Sequence, residues 1–374
     1  MNRFASPSDE KWMRLALKLA QKGQGAVSPN PIVGAVLVKR GKLIGQGWHR
    51  KAGGPHAEIV ALSDARRRGQ NPRSATLYVT LEPCCTHGRT PPCTKSIIDA
   101  GISRVVASAT DPNPKHAGRG FRILRRTGIE VTRGVLAAES TAMNEAFNHW
   151  IVKKTPWVTV KTAMTLDGKI ATANGQSKWI TGEQSRDHAM GFRRCADAIL
   201  VGVNTVLKDD PSLTVRGGTR KVFSKKRLVL DSMARTPLTA KVVCDSFANL
   251  TTIIVTSAAR KSRISALAKH VCVWVAPSRD GQVDLRWLLR RLGTEGVTSL
   301  LVEGGGEVNA SFLLSGLAHD IAFYYAPKII GGHDARKAVA GVGINRLADM
   351  IRLQDIEWKR LGSDLLLTAR IRKV

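Results

Sequence analysis

The sequence has few acidic and few aromatic residues. Its 29 Asp and Glu residues stand against 58 Lys and Arg residues, which gives a formal net charge of +29 at pH 7. This charge raises the local concentration of anionic ligands, such as phosphorylated small molecules and nucleotides. Aromatic residues make up 5% of the chain, and none interleave with the basic runs Arg66–Arg68 and Lys225–Arg227. The sequence therefore does not indicate base-stacking platforms for nucleic acid.

Cysteines and long apolar runs are also scarce. Six cysteines in 374 residues do not make a disulfide framework, so we expect reduced thiols and a cytoplasmic protein. No run of 18 or more apolar residues occurs, so no spanning helix and no membrane partner are expected. The N-terminus has no apolar segment typical of a signal peptide. The apolar content of 43% is ample for packed cores, and the length favours two or three domains.

The most informative residues are His56, Glu58, Cys84 and Cys93. One imidazole and two thiolates can hold zinc and leave a fourth position for water, whose pKa the metal lowers toward neutrality. The carboxylate of Glu58 is not needed as a ligand and can transfer protons. A His-x-Glu sequence followed by Pro-Cys and a second Cys is the signature of zinc deaminases. The second Cys here is nine positions after the first, a longer spacing than in the common signature.

Each part of this pattern also has an ordinary explanation. A His-Ala-Glu tripeptide arises by chance, and two cysteines can be buried apolar residues. The local sequence favours the metal site, because a β-branched strand over Thr76–Thr80 leads to Cys84. Pro91 and Pro92 open a predicted helix at Cys93, where unpaired N–H groups stabilise a thiolate. A second helix begins near His56, so two helix starts are expected to form the site.

Motifs over nearly the whole chain resemble the bifunctional riboflavin-biosynthesis deaminase–reductase family. Those similar to its deaminase half are Ser28–Gly34, Gly47–His49, His56–Glu58 and Glu82–Cys93. Those similar to its reductase half are Lys161–Lys169, Ser177–Thr181, Asp209–Arg216 and Val302–Gly306. One position departs from the family pattern: the family usually has His where this chain has Thr86, with His87 beside it. Which of these groups contacts substrate stays open.

The resemblance implies a fold and an activity for each half. It implies a cytidine-deaminase-like three-layer α/β/α domain over 1–153 and a dihydrofolate-reductase-like α/β domain over 156–374. The first would use Zn²⁺ to deaminate a diaminopyrimidinone ribosylamine 5′-phosphate, and the second would use NADPH to reduce the ribose to a ribityl chain. The partner is thus a small phosphorylated pyrimidine, and association into a homo-oligomer through the reductase domain is implied. Nucleic acid is expected only through non-specific charge attraction.

The resemblance also assigns residues. It implies Glu58 as the catalytic residue and His56, Cys84 and Cys93 as zinc ligands. The implied substrate-binding residues are Asn30, His49, Ser177, Arg193, Leu213, Arg216 and Glu303. The implied cofactor-binding residues are Ala163, Trp179, Thr205, Asp209, Gly305, Gly306 and Glu307. Trp179 could instead be a core residue, and Leu213 more readily so, and the roles of Lys161 and Asp167 stay open.

The second half alternates strands and helices but has no G-x-G-x-x-G motif, so a Rossmann dinucleotide site is not supported. The segment Glu303–Gly306 links a predicted strand to a predicted helix, where backbone N–H groups could approach a phosphate. A plain left-handed turn explains these glycines as well. Two rival functions remain for the chain: deamination of a base in nucleic acid, and binding without catalysis on a former enzyme scaffold.

Overall fold

The computed structural model describes residues 6–87, 91–216 and 222–372. The chain divides into two compact units, and the division falls between Lys154 and Thr155. Gly88, Arg89 and Thr90 of the second cysteine motif lie outside the described residues. Among the described residues, no helix has both the length and the apolar character needed to cross a membrane.

The first unit alternates helices and strands. Its elements are α1 (Pro7–Ala20), β1 (Gly34–Lys39), β2 (Lys42–Trp48), α2 (Ala57–Arg67), β3 (Thr76–Leu81), α3 (Cys93–Asp99), β4 (Arg104–Ala109), α4 (Arg119–Arg126), β5 (Glu130–Arg133), α5 (Ala137–Met143) and α6 (Glu145–Lys153).

A five-stranded sheet in the order β2-β1-β3-β4-β5 forms the centre of this unit. The strands β3, β4 and β5 are parallel, and β1 is antiparallel to both of its neighbours. One face packs on α2, α3 and α4 through residues such as Leu62, Ile97 and Leu124. The other face packs on α1 through Met13 and Leu17. Helices on both faces give the expected three-layer α/β/α fold, which is confirmed.

Two glycines of β2 pack closely against α2, the helix that begins at the candidate metal site. A Cβ atom on Gly47 would lie 2.6 Å from the backbone nitrogen of Ala61 and 2.8 Å from the carbonyl oxygen of Ala57. A Cβ on Gly45 would lie 2.5 Å from the carbonyl oxygen of Ala61. Because these glycines have no side chain, the backbone of α2 packs directly against that of β2, which fixes the position of the helix start.

Residues 137–150 do not form a single helix. The structure has α5 and α6, separated at Asn144, whose φ and ψ of −109° and 20° are not helical. The side chain of Asn144 accepts a hydrogen bond from the Ile32 N–H at 2.7 Å and donates to the Ile32 carbonyl at 2.9 Å. This contact is 112 residues away in sequence, so a local pattern does not reveal it.

The second unit begins with the following elements: β6 (Trp157–Thr165), β7 (Lys169–Ala171), α7 (Glu183–Cys195), β8 (Ala198–Gly202), α8 (Val203–Asp209), β9 (Thr214–Val215), β10 (Phe223–Ser224), β11 (Lys226–Leu230), α9 (Lys241–Cys244), β12 (Thr251–Thr256) and α10 (Lys261–Ala268). It continues with β13 (Cys272–Ala276), β14 (Ser278–Arg279), β15 (Gln282–Val283), α11 (Leu285–Thr294), β16 (Ser299–Val302), α12 (Gly306–Leu314), β17 (Asp320–Ala326), β18 (Arg336–Lys337), β19 (Leu353–Leu361) and β20 (Asp364–Ile371).

Nine of these strands form one sheet in the order β13-β12-β11-β8-β16-β6-β17-β20-β19. It is parallel from β13 to β17, and β20 and β19 continue it in antiparallel pairing. Alternate residues face opposite layers: Leu200 and Leu228 pack with α11 and α12, whereas Ile199 and Val229 pack toward α8, α9 and α10. The predicted α/β class of this half is confirmed.

The terminal hairpin of β19 and β20 was not predicted. The strand β19 reads LQDIEWKRL and is exposed along most of its length. Its pairing with β20 shifts register between Gln354 and Glu357. This bulge interrupts the alternation of apolar and polar residues on which strand prediction depends.

Candidate active sites

The three predicted zinc ligands come together in the first unit. His56 immediately precedes α2, Cys84 follows β3, and Cys93 is the first residue of α3. The His56 Nδ1 atom lies 3.2 Å from the Cys93 Sγ and 3.5 Å from the Cys84 Sγ. All three candidate ligand atoms lie within 4.8 Å of one another. Two helix starts and one strand end therefore converge on a single point.

The donor atoms fit a zinc ion. A tetrahedral ion bound about 2.0 Å from nitrogen and about 2.3 Å from sulfur holds those two atoms about 3.5 Å apart. The distances from His56 to both sulfurs are close to this value. The Cys93 N–H also donates to the Cys84 Sγ at 3.3 Å. Hydrogen bonds from Cys93 and His56 lower the pKa of the Cys84 thiol to about 4, so this group favours the thiolate form that metals bind.

Glu58 lies beside this cluster, in the first turn of α2. Its side chain is buried. Burial and the nearby Cys84 thiolate raise the pKa of Glu58 to about 7. Among the described residues, the group that could hold a metal comprises His56, Cys84 and Cys93, which leaves the Glu58 carboxyl outside the ligand set. A carboxyl group with a pKa near neutrality suits proton transfer in both directions.

Asn30 and His49 form a hydrogen-bonded pair in the same unit. The Asn30 Nδ2 atom lies 3.0 Å from the His49 Nε2, and the His49 Nδ1 lies 3.0 Å from the carbonyl oxygen of Pro55. Because a carbonyl only accepts, Nδ1 donates and Nε2 accepts from the Asn30 amide. Burial lowers the pKa of His49, which favours this neutral tautomer. The His49 ring centroid lies 5.5 Å from that of His56, so the pair is adjacent to the metal cluster.

One supporting residue was missed by the sequence analysis. Glu82, two positions before Cys84, is buried, and its carboxylate accepts from the backbone N–H groups of Asp111, Gly118 and Gly120 at 2.9–3.2 Å. These bonds attach the loop before α4 to the end of β3. A charged residue at the end of an apolar strand was the available signal, but its partners are 29 to 38 residues away.

A second candidate site is a cavity of about 1440 Å³ in the second unit. It lies at the carboxyl ends of the adjacent parallel strands β6, β16, β8 and β11, the usual ligand position in open α/β sheets. Most of the predicted reductase residues line it: Ala163, Ser177, Arg193, Thr205, Asp209, Leu213, Glu303, Gly305, Gly306 and Glu307.

Two predicted residues, Trp179 and Arg216, lie outside the cavity lining. Trp179 is 68% exposed, so its alternative interpretation as a core residue is wrong. Leu213 is 1% exposed, as expected of a core residue, and it also lines the cavity, so its contact with substrate stays a prediction. Arg216 is exposed and donates to the hydroxyl groups of Thr214 and Ser212.

The strongest polar interaction in the cavity joins Arg193 and Glu303. The Arg193 Nε and Nη2 atoms donate to the Glu303 carboxylate at 2.6–3.1 Å, and Nη1 donates to the Thr214 carbonyl at 2.9 Å. Burial alone would raise the pKa of Glu303, but the charges of Arg193 and Lys161 hold it below its ordinary value. The Arg193 guanidinium therefore holds the Glu303 carboxylate in a fixed and ionised position in the cavity.

Lys161, whose role was open, lines the same cavity. Burial lowers its pKa, the Arg193 charge adds to this shift, and the Glu303 charge opposes it. Its ammonium lies 5.5 Å from the centroid of the Tyr324 ring. The Tyr324 hydroxyl is in turn 2.9 Å from the His188 Nδ1. Lys161 thus places an amino group, whose charged form is disfavoured by burial, in the same cavity as the Arg193–Glu303 pair.

The glycines after β16 are not a left-handed turn, so that alternative is wrong. Gly305 caps α12 with φ of −71° and ψ of 176°, and neither Gly304 nor Gly306 has a positive φ. A Cβ on Gly306 would lie 2.2 Å from the Lys337 carbonyl oxygen, and one on Gly304 would lie 2.5 Å from the Val308 Cβ. At Gly305 a Cβ would meet no atom within 4 Å. The helix start therefore opens into the cavity.

Comparison with known proteins addresses both units. Residues 156–367 match the family model described as the RibD C-terminal domain, and residues 6–109 match that of the cytidine and deoxycytidylate deaminase zinc-binding region. Curated relatives include the riboflavin biosynthesis proteins RibD of Actinobacillus pleuropneumoniae, 42% identical, and of Aquifex aeolicus, 44% identical. The alignments cover 98% and 96% of this chain, and 96% and 97% of those proteins.

The chain belongs to the RibD family. A solved structure of Acinetobacter baumannii RibD is 34% identical, with a TM-score of 0.87 over 98% of this chain and 99% of that one. A Thermotoga maritima structure described as a diaminohydroxyphosphoribosylaminopyrimidine deaminase/5-amino-6-(5-phosphoribosylamino)uracil reductase is 36% identical, with a TM-score of 0.82 over 98% and 99%.

Membership of the RibD family confirms the expected bifunctional activity. The chain is a riboflavin-biosynthesis deaminase and reductase, and it uses Zn²⁺ and NADPH. A small-molecule substrate is consistent with this activity.

Proposed function

We propose that residues 1–153 catalyse the deamination and residues 156–374 catalyse the reduction. The substrate is a diaminopyrimidinone ribosylamine 5′-phosphate, which loses ammonia before its ribose is reduced to a ribityl chain. The observation that carries this proposal is the convergence of His56, Cys84 and Cys93 beside the spare carboxyl of Glu58. A separate cavity of nucleotide size, in the second unit, supports the second step.

In the deaminase site, His56, Cys84 and Cys93 would hold the zinc ion. When bound, the ion supplies Lewis-acid activation of a water molecule. Glu58 accepts the proton of that water and delivers it to the departing amine, so the same carboxyl is restored at the end of the cycle. Asn30 and His49 are fixed by their mutual hydrogen bond. They would position the pyrimidine ring beside Glu58 and the zinc ligands.

In the reductase site, Ser177, Arg193, Leu213, Arg216 and Glu303 would bind the substrate. The exposed guanidinium of Arg216 suits its 5′-phosphate, because arginine binds phosphate oxygens in a bidentate manner. Arg193 orients the Glu303 carboxylate toward the ribose. The cofactor would lie along Ala163, Trp179, Thr205, Asp209, Gly305, Gly306 and Glu307.

The proposal is tested by supplying the pyrimidinone phosphate with and without NADPH, and by following ammonia and NADPH absorbance separately. Ammonia release is expected in both conditions, and NADPH oxidation only after deamination. Oxidation of NADPH on the undeaminated substrate without ammonia release would contradict the proposed order. As a control, deaminated substrate should oxidise NADPH with no further ammonia.

We propose that two copies of the chain associate through the second unit. The strand β19 pairs with β20 at one edge of the nine-stranded sheet. Ile356, Trp358 and Leu365 of this hairpin are 53%, 60% and 42% exposed. An edge strand offers backbone N–H and C=O groups to an identical strand in a symmetric dimer, which would also cover the exposed Ile356 and Trp358. Light scattering should give a dimer or a multiple of it, and Trp358→Glu should shift it toward monomer. Monomeric wild-type protein at micromolar concentration would contradict this.

We further propose that the protein works in the reducing cytoplasm. All six cysteines are free in the structure, and Cys84 and Cys93 must stay reduced to bind a metal. Thiol titration of the denatured protein, prepared without reductant, should find six free thiols after metal removal. Fewer thiols, with the difference restored by reductant, would contradict this location.

A further inference from the structure

One end of the reductase cavity contains none of the residues assigned above. The cavity follows the carboxyl ends of β6, β16, β8 and β11, which are consecutive in the sheet. At a strand spacing of about 4.8 Å, these four ends span about 14 Å. Lys161 and Glu303 lie at the β6–β16 end, and Ser232, Met233 and Arg235 lie beyond β11. The cavity therefore has a substrate end and a distal end.

A dinucleotide fits this cavity in one direction. Hydride transfer requires the nicotinamide at the substrate end, beside Glu303. The α12 N-terminus at Gly305 opens into the cavity next to that end, and a helix N-terminus is a favourable position for the diphosphate. The adenosine half then extends across β8 to the end of β11. Its ribose, with the 2′-phosphate that distinguishes NADPH from NADH, lies at the distal end.

Hydrogen bonds to the side chains of Asp231 and Arg263 fix the turn after β11. The Asp231 carboxylate is buried and accepts from the Thr236 N–H and hydroxyl, both at 2.7 Å. Arg263 donates to the carbonyl oxygens of Ala234 at 3.1 Å and Thr236 at 2.6 Å. Ala234 has a φ of +54°. The side chain of Arg235 projects from this fixed turn, is exposed, and donates to the Asn204 Oδ1 at 3.1 Å.

The charges at the distal end suit an anion. In Rossmann folds, sites for NADH place a carboxylate on the ribose 2′-hydroxyl, whereas sites for NADPH place an arginine near the 2′-phosphate. This chain has no Rossmann motif, but the same electrostatic requirement applies to any site that binds the 2′-phosphate. Here the carboxylate after β11 belongs to Asp231, and it is turned inward to Thr236. Asp284, which follows β15, accepts hydrogen bonds from the N–H groups of Arg286 and Trp287 as the N-cap of α11. Arg235, Arg279 and Arg286 are the cations that line this end. The carboxylate of Asp280 also lines it and lies 3.9 Å from Arg279, so Arg279 is partly neutralised, whereas Arg235 forms no ion pair with a described residue.

We propose that Arg235 binds the 2′-phosphate of NADPH and thereby sets the preference for NADPH over NADH. This inference rests on the proposed reductase function of the second unit. The rigid turn of Asp231–Thr236 aims the guanidinium into the cavity, and its single bond to Asn204 leaves other N–H groups for phosphate oxygens. Arg279, at the tip of the β14–β15 hairpin, is the alternative cation.

The test measures binding of 2′,5′-ADP and 5′-AMP to the full-length protein by calorimetry, without catalysis. These probes differ by the 2′-phosphate alone. Wild-type protein should bind 2′,5′-ADP more tightly. Arg235→Gln should weaken 2′,5′-ADP binding by about 10- to 100-fold, the effect of losing a charge-assisted contact, and leave 5′-AMP binding unchanged. Arg235→Lys should fall between, because it keeps the charge but not the bidentate geometry.

Two control variants distinguish the proposed role of Arg235 from a general effect of positive charge and from phosphate binding by Arg279. Arg290→Ala removes one exposed positive charge from α11 outside the cavity lining, and it should leave both affinities unchanged. Equal losses in Arg235→Gln and Arg290→Ala would overturn the proposal. So would a loss in Arg279→Gln with none in Arg235→Gln. If wild-type protein bound NADPH but did not prefer 2′,5′-ADP, this inference would fail alone. If it bound no nucleotide, the proposed reductase function would fail.

Discussion

Glu58 and Glu303 illustrate how position determines what a carboxyl group can do. The Glu58 residue is buried and the Glu303 side chain is 8% exposed, so burial by itself would raise the pKa of each. Glu303 is hydrogen-bonded by a guanidinium, which keeps its pKa below the ordinary value. Glu58 lies beside a thiolate, and its pKa rises to about 7. The first is suited to binding as a fixed anion, and the second to exchanging a proton.

Replacement of Glu58 by Gln should preserve the metal site and remove the proton transfer. We expect ammonia release to fall by about 10²- to 10⁴-fold, the usual range for loss of general acid–base catalysis. The zinc content should stay at one ion per chain, since the substitution leaves His56, Cys84 and Cys93 unchanged. Metal analysis and an ammonia assay check the two parts. Loss of zinc together with activity would instead assign Glu58 to the metal site.

At the scale of elements, three secondary-structure segments of the first unit are joined by one buried polar network. Asp9 of α1 accepts hydrogen bonds from Arg104 of β4 and from the hydroxyl of Tyr78 of β3. Burial alone would raise the pKa of Asp9, but hydrogen bonds from Arg104 and Ser6 keep it below 3.8. Burial and the Asp9 carboxylate raise the pKa of Tyr78 from 10.0 to about 12. The network thus attaches α1 to the sheet.

This network predicts a loss of stability at high pH. The unfolded chain releases the Tyr78 proton near pH 10.0, and the folded chain releases it near pH 12. Between these values the folded state binds more protons, so the free energy of unfolding falls as pH rises. Urea unfolding at several alkaline pH values should show a smaller decline in Tyr78→Phe than in wild type. An unchanged slope in the variant would contradict this prediction.

The same network also makes the free energy of unfolding depend on pH in acid, through the carboxyl group of Asp9. Because the pKa of Asp9 is lower in the folded state, its stabilising contribution is present above the ordinary value of 3.8. That contribution disappears as the pH falls through the folded-state pKa.

At the scale of the whole molecule, each unit has its own sheet and its own buried cores. The candidate metal ligands all belong to the first unit, and the cavity lining belongs entirely to the second. Since each reaction has its own set of side chains, the two activities should be separable by a treatment that affects one set.

Removal of zinc should separate them. A chelator is expected to abolish ammonia release and to leave NADPH oxidation on the deaminated substrate at its original rate, because no described residue of the cavity belongs to the metal cluster. Addition of Zn²⁺ should restore the deaminase activity. Loss of both activities, with NADPH oxidation not rescued by excess deaminated substrate, would show that the second site depends on the metal.

The sequence by itself determined the chemistry of the metal site, because ligand identity and a spare carboxyl appear as residue types at short spacings. It also indicated the alternation of strands and helices in the second half, since apolar periodicity is local. Tertiary structure alone decided the break at Asn144, the pairing of Arg193 with Glu303 and the inward orientation of Asp231. Each of these depends on a partner that local pattern does not reveal: Asn144 and Arg193 contact residues more than 100 positions away, and Asp231 turns away from the cavity only because a turn places Thr236 beneath it.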